Sequence, residues 1–197
     1  MGGVVSSNVL IIKLIADHLG ISEGDFFIGA ASNPRDASVS PYFQGDIAAI
    51  MRGEISSERF WINFEERTGL AVSGDPWYDF FNPVLDERMV DVIKSLQSQG
   101  KRVVCGTNTM AAHYQRHSAR RDYSLFDVVY ASHIMGIIKP CPEFWAYILC
   151  EEKVLPEEAF FVDDLEENIL AAEKMGLKTH LFTGAESLAT AVRQTCD

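Results

Sequence analysis

Four short, mainly apolar runs in the second half of the chain, each set between helical stretches, restrict its fold more than any other feature. They are Val103-Val104-Cys105-Gly106, Phe126-Asp127-Val128-Val129-Tyr130, Ala159-Phe160-Phe161-Val162 and Thr179-His180-Leu181-Phe182. A strand with one wet face alternates apolar and polar residues, whereas a run without alternation is dry on both faces. The intervening segments read as helices: one carries Met89, Ile93 and Leu96 on a single face and ends at Gly100, and others start near Met110, run from about Pro142 to Glu151, and end at Met175. Strand and helix in alternation predict an α/β fold, a doubly wound parallel sheet of Rossmann-like type with helices on both faces. Ligands of such sheets gather at the carboxyl ends of the strands.

The first part of the chain reads differently. From about Asn8 to Phe81 only helical periodicity is present, with Ile12, Ile15, Ala16 and Leu19 forming one apolar stripe and Phe60, Trp61 and Phe64 another. Breaks at Gly20, Asn33-Pro34, Ser40-Pro41, Gly53 and Ser73-Gly74-Asp75-Pro76 divide it into roughly four helices. The expected organisation is an α/β core from residues 1–7 and 82–197, interrupted by a small helical bundle over residues 8–81.

Several function classes lose weight on composition. No run approaches the roughly 18 apolar residues of a membrane span, and the start lacks the basic and apolar stretches of a signal peptide, so a cytoplasmic protein with no membrane partner is expected. A formal net charge of −11 disfavours a nucleic-acid partner. Cys105, Cys141, Cys150 and Cys196 are widely spaced, with no C-x-x-C pair, and read as reduced thiols, Cys105 buried in a strand. His113 and His117 share a helix face but lack the glutamate of a zinc motif, and no histidine is paired with a candidate serine or cysteine nucleophile.

Polar groups cluster at three strand ends: Thr107-Asn108 after the first, Lys139 beyond the second and Asp163-Asp164 after the third. Right-handed crossovers bring all three to one rim of the sheet. A hydroxyl, an ammonium and a carboxylate pair suit one task, holding a phosphoryl group with a divalent cation such as magnesium. Each also has a plainer reading. Asp164 with Glu167 fits a capping box, Thr107-Asn108 can cap the next helix, and Lys139 before Pro140 can be a solvated loop residue.

The order of these segments resembles that of the haloacid dehalogenase (HAD) superfamily. Val103 to Asn108 is similar to its second motif, Gly136-Ile137-Ile138-Lys139-Pro140 to its third, and Phe160 to Asp164 with Glu167-Asn168 and Ala171-Ala172 to Gly176 resembles its acidic fourth. Gly53-Glu54-Ile55-Ser56 through Phe60-Trp61 resembles the helical cap of the subfamily that contains the phosphatase half of soluble epoxide hydrolase and sugar-1-phosphate phosphatases. The resemblance implies a HAD core with a helical cap and a magnesium-dependent phosphatase acting on a small phosphorylated metabolite, as monomer or homodimer. It gives Thr107 and Lys139 catalytic roles, Thr107, Asn108 and Lys139 substrate contacts, and Asp164 and Asp163 the metal. Two other activities fit the same fold, a metal-independent 2-haloacid dehalogenase and a catalytically inactive binding or regulatory protein.

The first motif is incomplete. Met1-Gly2-Gly3-Val4-Val5 resembles its tail, which puts the nucleophilic aspartate immediately before Met1 and Gly2 in the place of the usual acid/base residue. In the family that strand lies between those ending at Thr107 and Asp163, so its absence predicts a gap of two strand spacings, roughly 10 Å. About ten further residues ending in aspartate are expected upstream of Met1.

Overall fold

The computed structural model describes residues 1–36 and 39–195, so Cys196 lies outside the described residues. Helices fill the first part: α1 (Ile12–Leu19), α2 (Glu23–Gly29), α3 (Gly45–Met51), α4 (Ser57–Thr68) and the single turn α5 (Pro76–Asp79). Local chemistry sets their ends. The Ser22 and Ser56 hydroxyls accept the N–H groups of Asp25 and Arg59 at the starts of α2 and α4, and Gly20 and Gly69 take left-handed backbone just after α1 and α4. The apolar stripes meet in an aromatic core, with the Phe26 ring 5.2 Å from Phe64 and edge-on to Trp77 at 5.7 Å. Phe26, Phe60, Phe64 and Trp77 are essentially out of water. Each side chain so buried stabilises the bundle by about 1.5–3 kcal/mol relative to exposure.

Helix α6 (Glu87–Ser98) leads into the α/β part: β3 (Val104–Thr107), α7 (Ala111–Ala119), β4 (Val128–Ala131), α8 (Ser132–Met135), α9 (Pro142–Glu152), β5 (Phe160–Asp163), α10 (Glu166–Lys174), β6 (Lys178–Leu181) and α11 (Ala185–Thr195). The four expected strands are all present, each within two residues of its predicted place. A further antiparallel pair, β1 (Ser6–Ser7) with β2 (Val84–Leu85), was not predicted; two-residue strands carry no period to read.

The parallel sheet is divided. β3 pairs with β4, aligning Thr107 with Ala131, and β5 pairs with β6, aligning Asp163 with Leu181. Among the described residues β3 and β5 share no ladder, as the incomplete first motif predicts. The start of the chain lies at this division: Met1 and Val4 pack on an apolar cluster that also takes in Val103, Phe160 and Val162. A third cluster, built on Phe144, Trp145 and Leu177, joins α9 and α10 to β5. The helical cap shares its core with the α/β part, because Met110, Ala112 and Ile138 are buried in the same cluster as Phe26 and Phe60. Among the described residues no helix is long and apolar enough to cross a membrane.

Candidate active site

Thr107 and Asp163 are the last residues of β3 and β5, and both are buried. Lys139, in the loop between α8 and α9, joins the two strand pairs. Its Nζ donates to Asp163 Oδ2 at 2.6 Å and lies 3.4 Å from the Gly106 carbonyl next to Thr107. The ammonium also lies 5.7 and 5.5 Å from the Phe144 and Phe161 ring centres, and it is 6% exposed. A solvated loop lysine is therefore ruled out by geometry. Sequence cannot show this, since the rings come from α9 and β5.

Asn108 holds this lysine in place. Its Nδ2 donates to the Lys139 carbonyl at 2.9 Å and its Oδ1 accepts the Lys139 N–H at 2.8 Å, so one amide mimics a strand neighbour for one residue. That corrects one expectation. The Asn108 amide faces the lysine backbone and clamps it, and neither it nor Thr107 caps α7, whose first turn has no side-chain cap. The Thr107 hydroxyl makes only a long 3.4 Å contact to the next carbonyl and is available to a ligand.

The two adjacent carboxylates differ sharply. Asp163 gives Oδ2 to Lys139, while its Oδ1 accepts the Asn168 amide at 2.9 Å and the Leu165 N–H at 3.0 Å. Burial pushes this carboxyl up, but the charge and hydrogen bond of Lys139, with Asn168 and Leu165, outweigh it and leave the group below its ordinary value. Asp164 is exposed and makes no ion pair among the described residues; desolvation first, and the Asp163 charge second, hold it above its ordinary value. The expected capping box fails here, because Leu165 is the N-cap of α10 and contributes no side-chain cap.

Gly3 completes the cradle. Its φ of +79° is left-handed, and a Cβ there would sit 2.0 Å from Asp164 Oδ2, so any other residue would be strained and would push that carboxylate aside. Met1 and Val4 pack beside Val103, Phe160 and Val162, so residues 1–4 lie at the site itself. A Cβ on Gly2 would meet Val9 at 3.1 Å, so a larger side chain there would require Val9 to move.

An exposed carboxylate whose charge is disfavoured by desolvation and by its neighbour Asp163, and which makes no ion pair among the described residues, suits a hard divalent cation. Of the two carboxylates expected at a metal, Asp164 is the exposed one; Asp163 is spent on Lys139, Asn168 and Leu165. Among the described residues no three His, Cys, Asp or Glu groups form a complete metal cage. Magnesium needs none, since it is usually held by one or two carboxylates, waters and a phosphate oxygen.

Asn168, 1% exposed, and Ser132, fully buried, shape the site without having been singled out for it. Asn168 follows Asp163 at a spacing that brings the first turns of α10 back over the strand end, a usable signal; Ser132 gives none. Other candidate chemistry does not assemble. His117 Nδ1 pairs with Asp122 at 2.8 Å while a different histidine, His180, contacts Ser187 at 3.3 Å, so among the described residues no single histidine joins an acid to a nucleophile.

A sequence profile described as haloacid dehalogenase-like hydrolase matches residues 66–176, over half of the chain. The chain belongs to this family. Among HAD relatives, a sesquiterpene phosphatase of Aspergillus oryzae is 35% identical over 106 residues, covering 53% of each protein, so the chain spans about half the length of that relative. A D-ribitol-5-phosphate phosphatase of Bacteroides thetaiotaomicron is 26% identical over 166 residues, 78% of this chain and 79% of that protein. A HAD-like hydrolase structure from Porphyromonas gingivalis superposes with a TM-score of 0.77 at 21% identity, covering 98% of this chain and 92% of that one, which shows the fold. A HAD family enzyme of Bacteroides thetaiotaomicron, solved as a magnesium complex, gives 0.65 at 25% identity over 77% of this chain and 81% of that one.

Proposed function

We propose that this chain supplies the phosphate- and metal-binding side of a magnesium-dependent phosphomonoesterase acting on a small phosphorylated metabolite. The observation that carries the reading is the Lys139–Asp163 pair, which ties the Thr107 strand end to the Asp164 strand end through a single buried ammonium. In this reading Thr107 and the N–H groups after it orient phosphoryl oxygens, Lys139 neutralises them, Asp164 holds magnesium, and Asp163 fixes the lysine. Magnesium, when bound, supplies charge neutralisation at the phosphoryl oxygens. The bundle of α1–α5 walls the site and excludes water.

The nucleophilic carboxylate is assigned to a strand ahead of Met1, entering the division between β3 and β5. The packing of the first residues supports this, since Met1 and Val4 share a cluster with Val103 beside β3 and with Phe160 and Val162 of β5, and Gly3 lies against Asp164. With glycine at position 2, the proton for the leaving group comes from solvent or from the substrate. The phosphatases among the relatives support the reaction class, and the phosphorylated polyol named for one of them suits the size of substrate.

Hydrolysis of an aryl phosphate with magnesium tests the reading on two proteins, residues 1–197 and the same chain extended upstream through an aspartate. Turnover is expected from the extended chain alone, and orthophosphate binding from both. An extended chain that binds orthophosphate without turnover would support a binding protein, the reading that Gly2 favours. Halide release from a 2-haloacid without magnesium would replace the phosphatase with a dehalogenase.

A further inference from the structure

Ser132 is the first residue of α8, directly after Ala131, which lies opposite Thr107 in the β3–β4 ladder. It is 0% exposed, and its hydroxyl meets three backbone groups. Oγ accepts the Thr109 N–H at 2.9 Å and lies 2.7 Å from the Met51 carbonyl and 3.0 Å from the Thr109 carbonyl. A hydroxyl has one hydrogen to donate, and the shorter contact directs it to Met51. Met51 is the last residue of α3 in the cap, and Thr109 is two residues beyond Thr107. One side chain thus joins the cap to the loop that carries the phosphate-binding hydroxyl.

The neighbouring contacts have the same effect. Gly53, at φ +68°, passes so close to the β4–α8 corner that a Cβ would sit 2.2 Å from the His133 carbonyl oxygen. Met110, just after Thr109, and Ile138, just before Lys139, are buried in the aromatic cluster of the cap. The loops bearing Thr107 and Lys139 therefore rest on the cap, whereas Asp163 and Asp164 are held by β5, Asn168 and Leu165.

We propose that Ser132 is a positioning residue that sets the phosphate-binding loop by tying Thr109 to Met51 of the cap, so that cap seating controls phosphate affinity and leaves the metal site alone. The inference rests on the phosphatase reading. Without the hydroxyl, the Thr109 N–H and the Met51 carbonyl are stranded in a site closed to water, and the loop must shift to satisfy them. A phosphate held by a few directed groups is sensitive to such a shift, whereas the Asp164 carboxylate lies on another segment.

Calorimetry on residues 1–197 tests this, with magnesium alone and with orthophosphate added at saturating magnesium. Ser132→Ala is expected to weaken orthophosphate about tenfold, the loss of one well-made buried hydrogen bond, with magnesium affinity unchanged. Gly53→Ala, which leaves Ser132 intact and forces the cap off the His133 carbonyl, is expected to give the same split. Ile93→Val, in the separate cluster beside Met89 and Leu188, lowers thermal stability as a control and leaves both affinities at the wild-type value. Where Ser132→Ala is unfolded at the assay temperature, Gly53→Ala decides. Unchanged orthophosphate affinity in a folded variant overturns the proposal, as does an equal fall in both affinities, which marks a merely structural role. Wild-type protein that binds no orthophosphate overturns the phosphatase reading too, whereas wild-type binding matched by both variants overturns the Ser132 proposal alone.

Discussion

Lys139 and Asp163 form a buried ion pair with side chains 7% and 6% exposed, so neither can lose its partner and turn to water. Asp163→Asn keeps the shape of the side chain but leaves the ammonium without a counter-charge. Denaturant unfolding is expected to show a loss of about 3–5 kcal/mol. Asp164→Asn should stay within about 0.5 kcal/mol of wild type, because the residue is exposed and its charge is already disfavoured beside Asp163. Magnesium affinity should move the other way, collapsing in Asp164→Asn; calorimetry showing equal affinity in a folded Asp163→Asn and in Asp164→Asn would overturn the assignment. The pH dependence of Asp163 follows from the direction of its shift. Its folded value is lowered, so its contribution is complete above the ordinary carboxylate pKa of about 4 and is lost as pH falls through the lower folded value. The placing of both carboxylates at the end of β5 was readable from the sequence, whereas their different partners were not, because Lys139 and Asn168 reach Asp163 only through the fold. The burial of Lys139 was not readable, because Phe144, Phe161 and Asp163 lie far from it in sequence.

The elements were easiest to read where a period ran long enough. Strands β3 to β6 stand out as apolar runs bounded by polar residues, and α4 as a stripe of Phe60, Trp61 and Phe64. Element ends were harder. Asp164 with Glu167 has the spacing of a capping box, yet Asp163 takes the Leu165 N–H first and α10 starts one residue later than that motif requires. Nor does periodicity reveal how closely helices approach. Gly29 ends α2 against α4, where a Cβ would meet the Phe64 ring at 2.5 Å and Thr68 Cγ2 at 2.7 Å. Gly29→Ala would ordinarily favour a helix, but here the crowded contact should cost about 1–3 kcal/mol, a fall in melting temperature that thermal unfolding would register. Phe60→Ala, which empties the middle of the same cluster, should cost about 3–5 kcal/mol. A melting temperature for Gly29→Ala at or above wild type would show that α2 and α4 can separate without loss.

Cap and core unfold together in this reading, since the aromatic cluster runs through Met110, Ala112 and Ile138 without interruption. His113 stands at this junction and makes the coupling measurable. Its ring stacks on Phe81 at 3.8 Å and meets Trp77 edge-on at 6.1 Å, while Nε2 is closed off from water with no partner among the described residues. Burial, and next the neighbouring His117, bring its pKa from 6.5 to about 3, against the hydrogen bond to the Trp77 backbone. The unfolded chain therefore binds a proton between those pH values that the folded chain refuses, and stability falls as pH drops below 6.5 by up to about 1.4 kcal/mol per unit from this residue. His117 and His133 are also lowered, chiefly by burial, and add to the slope. Urea midpoints measured from pH 6.5 down to 5, above the main carboxylate range, should decline steadily, and His113→Phe should flatten that decline by the share of one histidine. Because the ring stacks on Phe81 and meets Trp77 of the cap from its place on α7, the flattening should be equal whether unfolding is followed, in a Trp145→Phe background, by the fluorescence of Trp61 and Trp77 in the cap or by far-ultraviolet dichroism of the whole chain. Two separate transitions would mean that the shared cluster does not make one cooperative unit of them.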